Sequence, residues 1–299
     1  MCNFAKMQRM KLKNIRVAHS PDADDIFMYS AINLGWVGSE ILQFSSKADD
    51  IETLNQAALR GEFDATAISF ALYPFIVKDY ALLRTAVSFG NGYGPKLIKK
   101  KHTTLKPNFK VALSGQYTTN ALLFKIAYPK ARIVYKNFLD IENAVLSGEV
   151  DAGVLIHESI LSFSDELCVE REIWDIWCEL RGDDSLPLPL GGMALRRSLP
   201  LSDAIECETV LTKAVQIAHD NKKILSSMLL ERKLVRVDDT SLQKYLGLYA
   251  NAESISMSDL QLRAVDRLFE IGYESGVYSN LIKSQPNLIP TEYLNSRNS

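Results

Sequence analysis

The chain has 299 residues, 47% of them hydrophobic, and a net charge of −2 at neutral pH. This length is enough for two domains, and the composition can supply an ordinary packed core. The nearly balanced charge argues against a nucleic acid or an anionic membrane surface as partner. The cysteines have no Cys-x-x-Cys spacing, which favours free thiols over a disulfide framework.

The N-terminal stretch and the hydropathy of the chain bear on its location. Residues 1–14 are basic and contain no apolar run of signal-peptide length. No segment approaches the ~18 consecutive apolar residues that a membrane span needs. We therefore expect a cytoplasmic protein with no membrane partner, carrying an N-terminal extension of unassigned role.

Strands alternate with helices through most of the chain. The predicted strands lie at residues 15–18, 41–45, 66–70, 82–87, 96–101, 111–113, 133–135, 152–156 and 193–196. The predicted helices lie at residues 26–34, 49–61, 121–127 and 139–147, and over most of the chain after residue 203. This alternation predicts an α/β protein with mixed, mostly parallel sheets flanked by helices.

Two similar segments indicate two lobes. Gly61-Glu62-Phe63-Asp64-Ala65 and Gly148-Glu149-Val150-Asp151-Ala152 each follow a predicted amphipathic helix and lead into an apolar strand. They are too far apart for a solenoid repeat. We predict that residues 103–196 form a lobe inserted into a first lobe made of residues 1–102 and 197–299. Two crossing segments would leave a cleft between the lobes that can close by a hinge.

His157 directly follows the predicted buried strand at residues 152–156. Open α/β sheets hold ligands at the carboxyl ends of their strands, so His157 is the first candidate for chemistry. The alternative is a histidine that merely hydrogen-bonds at a strand end.

The turn from Ser114 to Asn120 precedes the predicted helix at residues 121–127. It carries the hydroxyls of Thr118 and Thr119 and the amide of Asn120 at a helix N-terminus. Such a turn can bind a carboxylate or phosphate. Simple capping of the helix by Ser114 or Thr118 is the competing interpretation.

The known cofactor and metal motifs are missing. The acidic turn of Asp22, Asp24 and Asp25 lacks the glycine and glutamate of a calcium loop, and the histidines have no zinc spacing. A magnesium ion on two of these carboxylates is conceivable, but a ligand-facing turn or a capped helix start is preferred. The sequence contains no phosphate-binding loop, dinucleotide fingerprint or esterase elbow. Proton transfer by His157 on an anionic substrate, without cofactor or metal, is what remains.

Several segments together resemble one family, the 1,4-dihydroxy-6-naphthoate synthases of the futalosine route to menaquinone. The resembling motifs are Ser20-Pro21 with Asp25 and Phe27; Gly92-Tyr93-Gly94-Pro95; Gly115 with Thr118-Thr119; Gly148 to Gly153; Ile156-His157-Glu158-Ser159; and Leu186-Pro187-Leu188-Pro189-Leu190-Gly191. The motifs keep the family's order across roughly residues 15–197. The segments around His157 and Leu186 are the specific ones, whereas the glycine turns alone would be weak.

The resemblance implies a two-lobed fold like that of type II periplasmic binding proteins, with a ligand cleft between the lobes. It also implies a cofactor-free lyase that cleaves cyclic dehypoxanthinyl futalosine, a small carboxylate, into the dihydroxynaphthoate and a sugar-derived fragment. The family's base falls on His157, which is expected to be neutral near pH 7 and to take a hydroxyl proton from the sugar part. Carbon–carbon cleavage would follow as an aromatic ring forms. Glu158 is expected on the opposite face of the strand and is not assigned as its partner.

The substrate-contacting positions that the resemblance implies come from several motifs. They are Ala67, Ile68 and Ser69 at a strand end, Thr118, Thr119 and Asn120 in the turn, and Ser20, Asp25 and Gly94. The family usually has Ser-Pro-Cys-Pro-Asn-Asp where this chain has Ser20-Pro21-Asp22-Ala23-Asp24-Asp25. Asp24 thus replaces an amide donor by an acceptor, so the roles of Asp22 and Asp24 are open.

Two other functions remain compatible with the sequence. One is a chorismate dehydratase of the same pathway and fold, and the other is a solute-binding protein without chemistry. The segment Ile156-His157-Glu158-Ser159 favours the synthase over the dehydratase. The absence of a secretory segment counts against the binding protein.

Overall fold

A computed structural model describes residues 12–290 of the chain. The predicted N-terminal extension lies almost entirely outside the described residues. The strands are β1 Lys13–His19, β2 Leu42–Ala48, β3 Ala65–Ser69, β4 Tyr80–Leu82, β5 Ser88–Gly90, β6 Lys96–Lys100, β7 Lys110–Leu113, β8 Arg132–Tyr135, β9 Ala152–Leu155, β10 Leu167–Glu172 and β11 Leu188–Arg196. The helices are α1 Ala23–Asn33, α2 Ile51–Leu59, α3 Tyr73–Ile76, α4 Thr119–Ala127, α5 Ile141–Leu146, α6 Ile173–Leu180, α7 Leu201–Asp220, α8 Lys222–Glu231, α9 Asp239–Tyr249 and α10 Asp259–Glu274.

The strands form two separate mixed sheets. The first has the order β2-β1-β3-β11-β4, with β5 also paired to β11, and the second has the order β10-β6-β9-β7-β8. The βα units supply the parallel pairs, β1 with β2 and β3, and β7 with β8 and β9. β11 runs antiparallel in the first sheet, and β6 runs antiparallel in the second. The prediction of an α/β protein with mixed sheets is confirmed.

Burial follows from this architecture. All residues of β3 and β9 are buried, because each strand lies inside its sheet. The side chain of Asp50 caps α2 by accepting from the backbone N–H of Thr53 at 3.2 Å, and Gly61 ends the following turn with a φ of +64°. Helix α9 packs against α1 and β5, which brings the C-terminal helices to the cleft.

Some predicted boundaries are wrong. No continuous strand covers residues 82–87, because Ala86 has a φ of +55° and the chain forms the short strands β4 and β5 on either side. The last strand of the first sheet starts at Leu188 rather than at residue 193. This strand contains Pro189, and its pairing with β5 has an irregular register between Pro189 and Gly191. Helix α1 starts at Ala23, three residues earlier than predicted.

Sheet membership moves the lobe boundaries. β6 belongs to the second sheet although the prediction placed it in the first lobe, and β11 belongs to the first sheet although the prediction placed it in the inserted lobe. We propose that the crossings lie between Gly90 and Lys96 and between Glu172 and Leu188. Among residues 12–290 no helix is long and apolar enough to cross a membrane.

Candidate active site

A cavity lies between the two sheets and encloses about 740 Å³, including its open mouth. The cavity is lined by Ser20, Asp22, Asp24, Asp25, Ile51, Ala67, Ile68, Ser69, Ala86, Ser88, Pro95, Thr118, Thr119, Asn120, Ile156, His157, Ile160, Leu190, Gly191, Gly192, Tyr245 and Tyr249. Every site residue named from the sequence is in this lining except Gly94.

His157 stands just past the carboxyl end of β9, where the chain turns sharply. Its backbone has a φ of +55°, a conformation that costs energy for a residue with a side chain and that occurs often at functional sites. The edge of its ring meets the ring of Phe138, with centroids 4.9 Å apart. Its Nδ1 forms an ion pair with Asp22 across the cleft. Its Nε2 is buried without a hydrogen-bond partner.

The pairing with Asp22 shifts the pKa of His157. Burial alone would lower the pKa of His157, but the charge and the hydrogen bond of Asp22 raise it to about 9. Burial would likewise raise the pKa of Asp22, but His157 holds it below its usual value. Asp22 therefore favours the protonated form of His157 in the ligand-free protein, whereas the expected base is the neutral form, in which Nε2 can accept a proton. The partner that the sequence left unassigned is Asp22.

Two more carboxyl groups of the acidic turn are buried beside this pair. Asp25 accepts a hydrogen bond from the backbone N–H of Ser20 at 2.6 Å, and burial raises its pKa well above the usual value. Asp24 is 4% exposed, and burial together with the nearby Asp22 raises its pKa to about 8. The turn therefore carries less negative charge at neutral pH than its sequence suggests.

Glu158 faces the first lobe rather than His157. One of its carboxyl oxygens accepts from the backbone N–H of Ala23 at 2.8 Å, at the start of α1. The other lies 3.8 Å from Arg236. Burial raises the pKa of Glu158. The expectation that Glu158 is not the hydrogen-bond partner of His157 agrees with this geometry, and its position links the two lobes.

The end of β3 forms one wall of the cavity. Ala67, Ile68 and Ser69 are all buried and line it. The side chain of Asn55, fully buried in α2, accepts from the backbone N–H of Ser69 at 3.0 Å and donates to its hydroxyl at 3.2 Å. Asn55 therefore fixes the orientation of this strand end, a role that the sequence gave no signal for.

The start of α4 forms the facing wall, and its hydroxyls are already engaged. Thr118 caps the helix by accepting from the backbone N–H of Ala121 at 3.3 Å. Thr119 donates across the cleft to the carbonyl of Leu190 at 3.2 Å. Thr118 is therefore a cap, as the competing interpretation expects. Anion binding at this turn stays a prediction, which rests on the first N–H groups of the helix because they lack intrahelical partners.

Gly94 lies outside the cavity lining, so a substrate contact at this position is not supported. A Cβ built on Gly94 would meet the side chain of Leu188 at 3.1 Å and the backbone of Trp174 at 3.7 Å. The glycine thus allows close packing of the crossing segment, and the neighbouring Pro95 lines the cavity instead.

Two aromatic residues of the cavity were missed by the sequence analysis. Tyr245 and Tyr249 of α9 close the cavity from the C-terminal region, with ring centroids 4.8 Å apart. Their spacing of four residues places them on one face of a helix, but this pattern is the same for ordinary core residues. No group of three or more His, Cys, Asp or Glu residues within the range 12–290 is arranged to hold a metal ion.

The fold and the cleft define a two-lobed α/β protein of the solute-binding-protein type. The alkanesulfonate-binding protein of Xanthomonas axonopodis pv. citri, solved with MOPS bound, superposes with a TM-score of 0.67 at 9% identity, over 93% of this chain and 98% of that one. At this identity the likeness shows the fold alone. The fold expected from the resemblance is confirmed.

The chain belongs to the menaquinone biosynthesis family, whose model matches residues 15–274. A protein of Thermus thermophilus named 1,4-dihydroxy-6-naphthoate synthase is 28% identical over 86% of this chain and 93% of its own. A protein of the same name from Streptomyces coelicolor is 29% identical over 81% of this chain and 86% of its own. A crystal structure of a protein from Archaeoglobus fulgidus has 34% identity and a TM-score of 0.82, over 88% of this chain and 98% of that one.

Proposed function

We propose that the protein is a 1,4-dihydroxy-6-naphthoate synthase, a lyase that cleaves a carbon–carbon bond of cyclic dehypoxanthinyl futalosine without a cofactor. The family match and the two relatives of that name support this assignment. The structural observation that best supports the assignment as a lyase is the pairing of His157 with Asp22. Asp22 holds Nδ1, and in the neutral form of His157 the unpartnered Nε2 is the atom that can accept a proton in the cavity.

Charge orients the substrate in this proposal. Asp22, Asp24 and Asp25 of the acidic turn line one side of the cavity and do not attract a carboxylate. The free N–H groups at the start of α4, on the other side, attract it. Ser69 at the end of β3 adds a hydroxyl near the ring system. The carboxylate therefore binds at Thr119 and Asn120, and the sugar part extends toward His157.

The chemistry begins when neutral His157 takes a proton from a hydroxyl group of the sugar part. The oxygen then forms a carbonyl, the neighbouring carbon–carbon bond breaks, and its electron pair enters the ring that becomes aromatic. Asp22 stabilises the imidazolium that results, since the two charges are paired and buried. Formation of the aromatic ring supplies the driving force.

The active protein is proposed to work in the cytoplasm, as suits a biosynthetic enzyme with a small-molecule substrate. The decisive test is incubation with cyclic dehypoxanthinyl futalosine and identification of the products by mass spectrometry. Appearance of the dihydroxynaphthoate, lost in a His157→Asn control, supports the synthase. Formation of a dehydrated product from chorismate instead would identify a dehydratase. Binding without turnover of either compound would leave a solute-binding protein.

A further inference from the structure

We propose that Asp24 is a neutral carboxylic acid in the working enzyme and that its Oδ1–H stabilises the substrate oxygen that becomes negatively charged during cleavage. This inference rests on the proposed function, and it concerns a residue whose role the sequence left open. It makes the acidic turn a hydrogen-bond donor as well as the support of the base His157.

The hydrogen bonds of Asp24 determine which oxygen carries the proton. Ser88 donates its hydroxyl hydrogen to Asp24 Oδ2 at 3.0 Å, so this oxygen is an acceptor. Asp24 Oδ1 is buried and has no partner, although the side chain lines the cavity. A proton on Oδ1 therefore leaves one O–H group free to donate to a ligand.

The surroundings of Asp24 disfavour its charged form. The side chain is 96% buried, since its exposed fraction is 4%. The carboxyl groups of Asp22 and Glu158 raise the pKa of Asp24, while His157, which lowers it, is already paired with Asp22. Burial and the charge of Asp22 raise the pKa of Asp24 to about 8, so it is mostly protonated at pH 7. An ionised Asp24 would leave a buried charge without a donor on Oδ1.

The reaction creates a need for such a donor. When the carbon–carbon bond breaks, its electron pair moves through the ring to a ring carbonyl oxygen, which becomes an oxyanion. A hydrogen bond from Asp24 to this oxygen is strongest at that moment, because the charge is then largest. The oxyanion afterwards takes a proton from water to become a naphthol hydroxyl, and the imidazolium of His157 returns its proton to water. Asp24 itself gains and loses nothing.

A titration tests the protonation state without any turnover. Carbon-13 labelling of aspartate carboxyl groups in the full chain, compared with Asp24→Asn, assigns the Asp24 signal by its loss in the variant. The signal should titrate near pH 8 rather than near pH 4. A midpoint near pH 4 would overturn the inference whatever the enzyme does. If the wild-type enzyme does not cleave the substrate, the proposed function fails, and so does the catalytic role assigned here, while the titration still reports the protonation state.

Kinetics separates a donor from a charged or merely structural group. Asp24→Asn keeps a donor in nearly the same shape, so kcat should stay within about tenfold of the wild type. Asp24→Ala should lower kcat by about 10²–10³-fold with KM little changed, the effect of losing one donor to an oxyanion. Equal losses in both variants, or a loss seen only in KM, would contradict the donor role. If Asp24→Ala does not fold, the Asn variant and its pH profile decide.

The pH profile of kcat/KM gives a second signature. A protonated Asp24 and a neutral His157 are required together, so the wild type should show a bell with apparent midpoints of about 8 and about 9. Asp24→Asn should show a single rise through about 9 and no alkaline fall. A fall that persists in this variant would overturn the assignment.

The other titratable groups around Asp24 are Asp22, Asp25, Tyr29, His157, Glu158, Tyr245 and Tyr249.

Discussion

Asp22 and His157 form an ion pair across the cleft, although they come from different sheets of the protein. Asp22 follows β1 in the first sheet, and His157 follows β9 in the second. The backbone N–H of Ala23 and the carboxylate of Glu158 add a hydrogen bond of 2.8 Å beside this pair. We propose that the base is complete only when the two lobes are in contact, because the ion pair and the hydrogen bond each need one residue from either side of the cleft.

Replacement of His157 by Asn should lower turnover by about 10²–10⁴-fold, because a positioned base is lost. Asn keeps polarity and can still hydrogen-bond to Asp22, so the thermal midpoint should fall much less than for a core deletion. Turnover, thermal midpoint and calorimetric binding should be measured on one sample. Near-normal turnover would show that His157 is a structural residue. Lost turnover together with a large fall in the thermal midpoint would show that His157 holds the fold, and His19 would then be the next candidate base.

Replacement of Asp22 by Asn should shift the acid limb of the turnover profile to lower pH. The negative charge that raises the pKa of His157 is removed, and burial then lowers this pKa. The plateau rate should fall by about 10²–10⁴-fold, since the imidazole loses the carboxylate that fixes its tautomer. Glu158→Gln is the matched control and should shift the limb far less. An acid limb that stays in place in Asp22→Asn would disprove control of His157 by Asp22.

The two threonines at the start of α4 should respond differently to loss of their hydroxyls. Thr118→Val removes the helix cap and should cost about 1 kcal/mol of unfolding free energy. Thr119→Val removes the bond to Leu190 across the cleft and should weaken substrate binding by roughly 1–3 kcal/mol. Denaturant unfolding and calorimetry on both variants measure the two effects. Unchanged affinity in Thr119→Val would remove this residue from the site.

Asp24 should also make stability depend on pH. Its pKa is raised in the folded protein from 3.8 to about 8, so the stabilising contribution of its proton is fully present below pH 3.8 and is lost as pH rises to about 8. Asp24→Asn does not titrate. The difference in thermal midpoint, variant minus wild type, should therefore grow between about pH 4 and about pH 8 and then level off. A difference that is constant across this range would show that Asp24 is ionised in the folded protein.

The sequence by itself predicted the fold class and part of the candidate site. Alternating strands and helices predict the α/β architecture because periodicity reports burial directly. His157 and Thr119 were identified because one follows a buried strand and the other lies at the start of a helix, whereas Ser69 was identified only from the family resemblance. The substrate-contacting positions that the resemblance implies all line the cavity except Gly94, but the lining residues Ile51, Ala86, Ser88, Ile160 and Gly192 were not named as site residues from the sequence.

Only the tertiary structure decided which side chains act together and which charges they carry. Asp22 is far from His157 along the chain, and no local pattern shows that the two meet. Burial and neighbouring charge raise the pKa of His157 to about 9 and that of Asp24 to about 8, and both shifts depend on the packed environment. Gly94 could not be excluded from the sequence either, because a glycine needed for close packing has the same signature as one that approaches a ligand. The pair itself depends on tertiary structure, because Asp22 follows a strand of the first sheet and His157 follows a strand of the second.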